Sequence, residues 1–235
     1  KDDKEELSTE EHFLYRRCVG KMLQLAAHRP DIQYTVGVLS QAMSCPTKRD
    51  KRRMKKLARF LAGTRNVGLI LRPCKPGQVP VVQVKVDANW ADDDSDRKST
   101  SGGVLYYHGC AIATWSRRQA CVALSSAESE LYALGSGAVE ALGFATLLEE
   151  WRESTVPVLC SDSSSALHVV KKRGPGKMKH IALRMLALQE WCAAKRLRFG
   201  KVHTDDNESD LLTKPMTQER LVKLAKKIGL KGDIY

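Results

Sequence analysis

The sequence lacks three features that would each assign it to a particular class of protein. None of its seven cysteines forms a C-x-x-C pair, so we expect reduced thiols and neither a disulfide framework nor a zinc site. No apolar run reaches the length of a membrane span, and the opening Lys1-Asp2-Asp3-Lys4 does not resemble a signal peptide. The chain has no internal repeat, no low-complexity segment and no initiating Met. We therefore expect a globular, intracellular piece of a longer polypeptide that contacts no membrane.

Positive charge is concentrated in the first third of the chain. The net charge is +12 over 235 residues. Residues 1–80 contain 17 Lys and Arg against 8 Asp and Glu, whereas the remaining residues contain 22 against 19. A concentrated basic surface indicates a polyanionic partner. The length of the chain allows one large domain or two modest ones.

Residues 1–80 predict a small helical segment. Apolar residues at helical spacing predict helices over residues 12–27, 32–43 and 48–63, followed by a Pro-rich linker at 73–80. The third helix is amphipathic, with a basic face that carries Arg52, Lys55, Lys56 and Arg59. That face is either solvated or in contact with phosphates, and phosphate contact would be independent of sequence and sensitive to salt.

The central strand of the remaining chain is predicted at residues 81–87. Val82, Val84 and Val86 alternate with polar residues, which is typical of a strand with one buried face. The strand ends at Asp87, and the acidic run Asp92-Asp93-Asp94-Ser95-Asp96 follows. Further strands are predicted at residues 104–108, 110–116, 156–161 and 197–203, and helices at 122–151, 163–172, 181–194 and 217–228, with a basic loop at 171–179.

This order of elements predicts an α/β fold. We expect a mixed five-stranded sheet, with three antiparallel strands and then two parallel ones, flanked by helices. The predicted domains are a basic helical segment at 1–80, the sheet domain at 81–216 and a basic C-terminal helix and tail at 217–235.

Four acids fall at positions suited to a metal site. Asp87 and Asp162 end two strands, Glu130 lies in the first turns of the long helix, and Asp210 begins a short helix. An isolated Asp at a strand end is usually only solvated, but four neighbouring carboxylates would repel one another and need cations between them. Oxygen ligands suit Mg²⁺ or Mn²⁺, and two such ions can activate water and stabilise the leaving oxygen of a phosphodiester.

Several sequence blocks resemble the C-terminal part of reverse transcriptases from copia-type LTR retrotransposons, namely the connection and the RNase H domain. The blocks are residues 86–91, 97–102, 123–130, 160–163, 179–181 and 207–214, and residues 15–64 resemble the family's connecting segment. The resemblance implies an RNase H-like fold and an endonuclease that cuts the RNA strand of RNA–DNA hybrids during reverse transcription. It implies two Mg²⁺ ions, which Mn²⁺ can replace, and a location in the cytoplasm, within a virus-like particle, or in the nucleus.

The resemblance also assigns roles to individual residues. Asp87, Glu130, Asp162 and Asp210 match the catalytic, metal-binding acids, and Asp87 would bridge both ions. Glu130 is preferred to Glu128 because Glu130-Leu131-Tyr132-Ala133 matches the family's pattern, and Glu128 can instead complement the helix dipole.

Three polar side chains near these acids are weaker candidates. Ser125 and Ser126 match positions that contact the hybrid, although N-capping explains them equally well. His203 resembles a histidine that aids product release, and an ordinary strand-end His is the alternative. The tryptophans Trp90, Trp115 and Trp191 are predicted to belong to the core or its rim.

No Tyr-x-Asp-Asp motif is present, so we expect the polymerase domain of the reverse transcriptase to be a separate partner.

Two functions other than RNA cleavage also fit the predicted sheet and its acids. One is a catalytically silent RNase H-like connection that holds the duplex for that polymerase, and the other is an integrase or transposase, which relies on three acids. The presence of all four acids favours the nuclease.

Overall fold

The computed structural model describes residues 2–73, 77–91, 96–172, 174 and 183–233. In this part of the chain the helices are α1 (Thr9–Ala26), α2 (Pro30–Gln41), α3 (Lys48–Gly63), α4 (Ser126–Glu150), α5 (Ser164–Lys171), α6 (Leu183–Ala193) and α7 (Gln218–Ile228). The strands are β1 (Gly68–Leu69), β2 (Val82–Ala88), β3 (Thr100–Tyr107), β4 (Cys110–Arg118), β5 (Val158–Ser161), β6 (Arg198–Lys201) and β7 (Leu230–Lys231). Short 3-10 helices lie at Asp2–Lys4, Thr204–Asp206 and Glu208–Leu212. The chain forms two compact units, residues 1–70 with 215–235 and residues 71–214.

The first unit has a small helical core. Its buried apolar side chains come from α1, α2 and α3, at the helical spacing seen in the sequence: Tyr15, Val19, Met22, Ala26, Ile32, Val36, Leu39, Met54 and Leu57. Ser8 caps α1, and Thr47 with Asp50 forms a capping box at the start of α3. The buried guanidinium of Arg29 binds both carboxylate oxygens of Asp31, at 2.9 and 2.7 Å, and the side chain and carbonyl of Thr64.

The C-terminal helix belongs to this first unit. The strand β7 pairs antiparallel with β1, and Leu230, Ala225 and Val67 form a small buried cluster. Gly229 ends α7 in the left-handed conformation, at φ 104°, which a glycine adopts without steric cost. The sequence prediction treated residues 217–235 as a segment of their own, because nothing in the pattern indicates this pairing.

The second unit is built on the predicted mixed sheet. Its strand order is β4-β3-β2-β5-β6, with β2, β3 and β4 antiparallel and β5 and β6 parallel to β2. The prediction of three antiparallel strands followed by two parallel ones is therefore confirmed. Val82, Val84 and Val86 are buried on one face of β2, as their alternation predicts.

The long helix α4 covers this buried face. A Cβ on Gly137 would lie 2.6 Å from Cγ1 of Val86 and 2.9 Å from Cδ1 of Leu159, so the helix approaches the sheet at a distance that only glycine permits. Contrary to the expectation from the sequence, Ser126–Glu150 is long and apolar enough, by length and composition, to cross a bilayer. In the structure one face of this helix packs on the sheet, where Leu131, Leu134 and Leu148 are fully buried.

Among the element boundaries that differ from the prediction, two differ for identifiable reasons. The strand β3 begins at Thr100 and not at residue 104, because Ser101 pairs with Ala88, and Thr100 donates its backbone N–H to the side chain of Asn89 at 2.6 Å. The helix α4 begins at Ser126 and not at residue 122, because the side chain of Ser125 caps it. The predicted acidic run at residues 92–95 and most of the predicted basic loop at 171–179 lie outside the described residues.

Candidate active site

Three of the four predicted acids meet at one edge of the sheet. Carboxylate oxygens of Asp87, Glu130 and Asp162 all lie within 4.8 Å of one another. Asp87 lies one residue before the end of β2, and Asp162 directly follows β5. Because β2 and β5 are parallel neighbours, their carboxyl ends meet at the same edge.

Glu130 reaches this edge from the first turns of α4. Its carboxylate accepts a hydrogen bond from the backbone N–H of Ala88 at 3.3 Å and another from the hydroxyl of Ser161 at 3.4 Å. Glu128 has a different environment, since its carboxylate accepts from the backbone N–H of Leu124 at 2.7 Å. The structure thus brings Glu130 to the other acids and leaves Glu128 at the start of the helix.

The fourth acid, Asp210, is joined to Asp87 by a lysine. Asp210 is fully buried in the 3-10 helix Glu208–Leu212. The ammonium of Lys214 lies 2.8 Å from Oδ1 of Asp210 and 3.7 Å from Oδ2 of Asp87. The hydroxyl of Thr213 also donates to Oδ2 of Asp87. Asp87 therefore belongs both to the group of three acids and to this lysine-bridged pair.

Two asparagines fasten the segment that carries Asp210 to the sheet. Asn207 donates its side-chain N–H to the carbonyl of Val86 at 3.0 Å, and Asn89 donates to the carbonyl of Thr213 at 2.7 Å. The fit against β3 is close, because a Cβ on Gly102 would lie 2.7 Å from Cβ of Leu212. The position of Asp210 consequently depends on backbone contacts that leave little room for adjustment.

Burial and mutual repulsion raise the pKa of two of these acids. The pKa of Asp87 is raised to about 6. Burial is the largest cause and the charges of Asp210 and Asp162 also raise it, whereas Lys214 and the hydrogen bond from Thr213 lower it. The pKa of Glu130 is raised to about 9, chiefly by burial and then by the charges of Asp87 and Asp162, against the hydrogen bonds from Ala88 and Ser161. Burial lowers the pKa of Lys214, but the carboxylates of Asp87 and Asp210 outweigh it, so the net shift is upward. The site therefore favours added positive charge.

Comparison with known proteins identifies the family of the chain. It is 34% identical over 219 residues to the retrovirus-related Pol polyprotein from transposon RE1 of Arabidopsis thaliana, a match that covers 92% of this chain and 15% of the relative. The corresponding polyprotein from transposon RE2 of the same plant is 33% identical over 219 residues, with the same coverage. The chain belongs to the retrovirus-related Pol polyproteins of transposons. Its sequence fits their copia-type RNase H region, which confirms the resemblance drawn from the motifs.

The chain spans only about one seventh of the length of these relatives. No family model matches it. Among solved structures, it is similar to the N-terminal RNase H domain of a Mycobacterium tuberculosis protein fused to maltose-binding protein. That match has 19% identity and a TM-score of 0.41, and it covers 56% of this chain and 95% of that chain.

The acid group of the chain fits divalent metal ions. All four candidate ligands are carboxylates, whose oxygens are the donors that Mg²⁺ and Mn²⁺ prefer. Asp87 and Glu130 are each less than a tenth exposed, and their pKa values are raised by burial and by neighbouring negative charge. A cation among these oxygens would offset both effects.

The other predicted site residues do not join the acid group. Ser125 is half-buried and caps α4 by accepting from the backbone N–H of Glu128 at 3.2 Å, whereas Ser126 is exposed. His203 is exposed, and its Nδ1 accepts from the backbone N–H of Asp205 at 3.2 Å. The basic side chains of α3 lie in the first unit and are exposed to solvent: Arg52, Lys55, Lys56 and Arg59.

Sequence reasoning missed the residues that support the acids. Lys214, Thr213, Asn89 and Asn207 each contact the site or hold its backbone. One signal was present, because Lys214 follows Asp210 by four residues, a spacing that allows a pair of opposite charges to meet. The asparagine contacts span more than 120 residues of chain and leave no local pattern.

Proposed function

We propose that the second unit is a ribonuclease H that hydrolyses the RNA strand of RNA–DNA hybrids with two divalent cations. The observation that supports this most strongly is the meeting of Asp87, Glu130 and Asp162 within 4.8 Å, with Asp210 joined to Asp87 through Lys214. A sheet edge gains no stability from such a group, because like charges that are this close repel one another. A group of this kind is expected where cations and a phosphodiester are bound.

Each acid has a role in this proposal. Asp87, Glu130 and Asp162 would hold one cation, and Asp87 with Asp210 would hold the second. Bound Mg²⁺ or Mn²⁺ supplies a nucleophilic water at neutral pH and stabilises the negative charge on the departing 3′ oxygen. The carboxylates must be deprotonated to act as ligands, so at neutral pH a bound cation would require Glu130, whose pKa is raised to about 9, to lose its proton.

The rigidity of the site suits this chemistry. The backbone N–H of Ala88 and the hydroxyl of Ser161 orient the carboxylate of Glu130, and the hydroxyl of Thr213 orients that of Asp87. Thr204 donates to Oδ2 of Asp162 at 2.8 Å. Because these contacts fix the acids before substrate binds, little reorganisation is needed during the reaction.

Substrate binding is assigned to polar and basic side chains outside the acid group. The exposed hydroxyl of Ser126, one residue after the cap of α4, is suited to bind the ribose 2′-OH that distinguishes RNA from DNA. The exposed side chains of Lys55, Lys56 and Arg59 on α3 would bind phosphates without regard to sequence. A reverse transcriptase polymerase domain is the proposed partner, because the chain matches Pol polyproteins over 92% of its length.

The test is cleavage of an RNA–DNA hybrid whose RNA strand carries an end label. The wild-type chain is expected to cut the RNA with Mg²⁺ or Mn²⁺ and not in EDTA. Asp162→Asn should abolish cutting, whereas Glu149→Gln, which removes an exposed charge from the end of α4, should not. A wild-type chain that is folded and binds the hybrid but leaves the RNA intact would contradict the proposal.

The second candidate, a silent module that holds the duplex, is favoured by one observation. Lys55, Lys56 and Arg59 are exposed on one helix, and the described residues show no ion pair for them. Binding of the hybrid that weakens with salt, together with no metal-dependent cutting, would identify this function. Cutting that requires metal and Asp162 would exclude it.

A further inference from the structure

The cation-binding edge of the sheet already contains one positive charge of its own. The ammonium of Lys214 lies between Asp210 and Asp87, at 2.8 and 3.7 Å, whereas Glu130 and Asp162 have no ion pair among the described residues. The lysine therefore neutralises one half of the acid group. The other half, in which Asp87 meets Glu130 and Asp162, has no basic side chain paired with Glu130 or Asp162 in the part of the chain that the structure describes.

The backbone at Lys214 is fixed, but its side chain can leave. Asn89 binds the carbonyl of the preceding Thr213, and the hydroxyl of Thr213 binds Asp87. The side chain of Lys214 itself is 40% exposed. A lysine is a compact, well-hydrated charge on a flexible stem of four carbons, so its ammonium can exchange between a carboxylate pair and water.

From this geometry we infer that Lys214 is an internal counter-ion that holds Asp87 and Asp210 together before metal binds and yields that position to the second cation. The inference rests on the proposed function, because it assigns the second cation to Asp87 and Asp210. Lys214 is then a positioning residue, since it acts on these carboxylates and not on the substrate. A chain with its lysine in place would bind the first cation more readily than the second.

Removing the positive charge of Lys214 should have two opposite effects: lower stability without metal and tighter binding of the second cation. Lys214→Met keeps an apolar stem but removes the ammonium. Without metal, Asp87 and Asp210 then repel each other, so the melting temperature in EDTA should fall by a few degrees. With metal, the second cation no longer competes with a positive charge, so it should bind about 3- to 30-fold more tightly.

The experiment measures binding and stability without substrate. Mn²⁺ is titrated into the metal-free chain by calorimetry, and melting is followed in EDTA and in saturating Mg²⁺ by circular dichroism. Lys195→Met is the matched control, because it removes an exposed positive charge of the same unit just before the start of β6, away from the strand ends that carry the acids. Lys214→Gln serves as a second variant if Lys214→Met does not fold.

We expect Lys214→Met to melt at a lower temperature than the wild type in EDTA, and at the same or a higher temperature in Mg²⁺. The variant should also bind a second Mn²⁺ more tightly than the wild type. If Lys214→Met lowers the melting temperature equally in EDTA and in Mg²⁺, the inference is overturned. Unchanged or weaker binding of Mn²⁺ by the variant would also overturn it, and Lys214 would then be only a partner in an ordinary ion pair. Hybrid cleavage by the wild-type chain tests the proposed function separately. Absence of cleavage with two Mn²⁺ bound would contradict that function but not the inference about Lys214.

Discussion

Glu130 accepts a hydrogen bond from the backbone N–H of Ala88 at 3.3 Å, which joins the first turns of α4 to the end of β2. This contact places a helix carboxylate beside Asp87, the neighbour of Ala88 in the strand. Glu128 lies two residues earlier on the helix and points to the backbone of Leu124 instead. A rotation of α4 would exchange the surroundings of these two acids, so the contact with Ala88 defines which of them faces the other carboxylates.

Replacement of the two glutamates should therefore give opposite results. Glu130→Gln removes a carboxylate from the acid group and should reduce hybrid cleavage by at least about 100-fold, the scale of losing several kcal/mol of transition-state stabilisation. Glu128→Gln keeps a side-chain oxygen for the N–H of Leu124 and should change cleavage by less than about threefold, because glutamine also serves in capping boxes. Steady-state cleavage with equal amounts of folded protein checks both. Greater loss in Glu128→Gln than in Glu130→Gln would reverse the assignment.

Stability without metal should fall as the pH rises. The pKa of Asp87 is raised from 3.8 to about 6 and that of Glu130 from 4.5 to about 9, chiefly by burial. A raised pKa in the folded state means that the folded chain favours the protonated acid. The contribution of this preference to stability is complete when the pH is below the pKa of the unfolded state, and it is lost as the pH rises past the pKa of the folded state. In EDTA, the melting temperature should therefore decrease between pH 5 and pH 9.

Two comparisons isolate the acids from other causes of this pH dependence. Glu130→Gln cannot ionise, so its melting temperature in EDTA should decrease less between pH 7 and pH 9 than that of the wild type. Saturating Mg²⁺ should also reduce the decrease in the wild type, because the carboxylates then have a counter-charge. An identical decrease in the wild type and in Glu130→Gln would show that Glu130 is not the group that titrates.

The sheet and two of its acids could be predicted because their signals are local. The alternation of Val82, Val84 and Val86 predicts a strand, and the strand–helix order around Asp162 predicts a parallel neighbour, so both strand ends are assigned to one edge. Glu130 and Asp210 could be proposed from their places at helix starts, but the choice of Glu130 over Glu128 relied on the resemblance to a family. In physical terms their positions depend on where a helix and a 3-10 segment pack, and helical spacing alone does not specify this.

The features that the sequence did not predict depend on contacts between distant residues. The pattern around Ser101 and Gly102 predicts a turn, but pairing with Ala88 and Asp87 extends β3 through it. A short strand is predicted at residues 69–71 and overlaps β1, but its partner β7 is too short to give a period, and the two strands join residues more than 150 positions apart. Residues 48–65 contain nine basic side chains, and acids near the N-terminus neutralise part of α3 in a way that no local pattern indicates, with Glu5 pairing with Lys48 at 2.7 Å.

Gly102 should prove essential to the position of Asp210. A Cβ at this residue would lie 2.7 Å from Cβ of Leu212, 2.8 Å from Cγ2 of Thr213 and 2.9 Å from the carbonyl oxygen of Ser209. Gly102→Ala must therefore displace backbone in the segment that carries Asp210, at a cost of about 1–3 kcal/mol of unfolding free energy. We expect the rate of hybrid cleavage by Gly102→Ala to fall by more than the loss of folded protein accounts for. Cleavage assays measure the rate, and urea unfolding measures the folded fraction.

Gly143 provides the matched control for this substitution. It is exposed on α4, and a Cβ there would meet nothing within 4 Å. Gly143→Ala should stabilise the chain by about 0.5–1 kcal/mol, since alanine favours the helix, and should leave cleavage unchanged. A Gly102→Ala variant as active as Gly143→Ala would mean that the Asp210 segment tolerates displacement.

The basic face of α3 should contribute affinity through its second half. Glu5, Glu11 and Asp3 pair with Lys48, Lys51 and Arg52, which neutralises the first half of the helix. Lys55, Lys56 and Arg59 remain exposed, so replacing all three with Gln should weaken binding of an RNA–DNA hybrid. If each side chain neutralises one phosphate, the slope of log affinity against log salt should decrease by about 0.9 for each of the three substitutions. Fluorescence anisotropy with a labelled hybrid at several salt concentrations measures both quantities.

A charge-matched control distinguishes direct binding of phosphates from a general effect of net charge. Replacing Arg16, Arg17 and Lys21 of α1 with Gln removes three exposed positive charges from the same unit. If the α3 side chains bind phosphates directly, the α1 variant should retain most of the affinity and nearly the full salt slope, because charges at a distance from the hybrid are screened within about 10 Å at 0.1 M salt. Equal losses of affinity in both variants would mean that the hybrid responds only to the overall positive charge of this unit, and α3 would then have no specific role in binding.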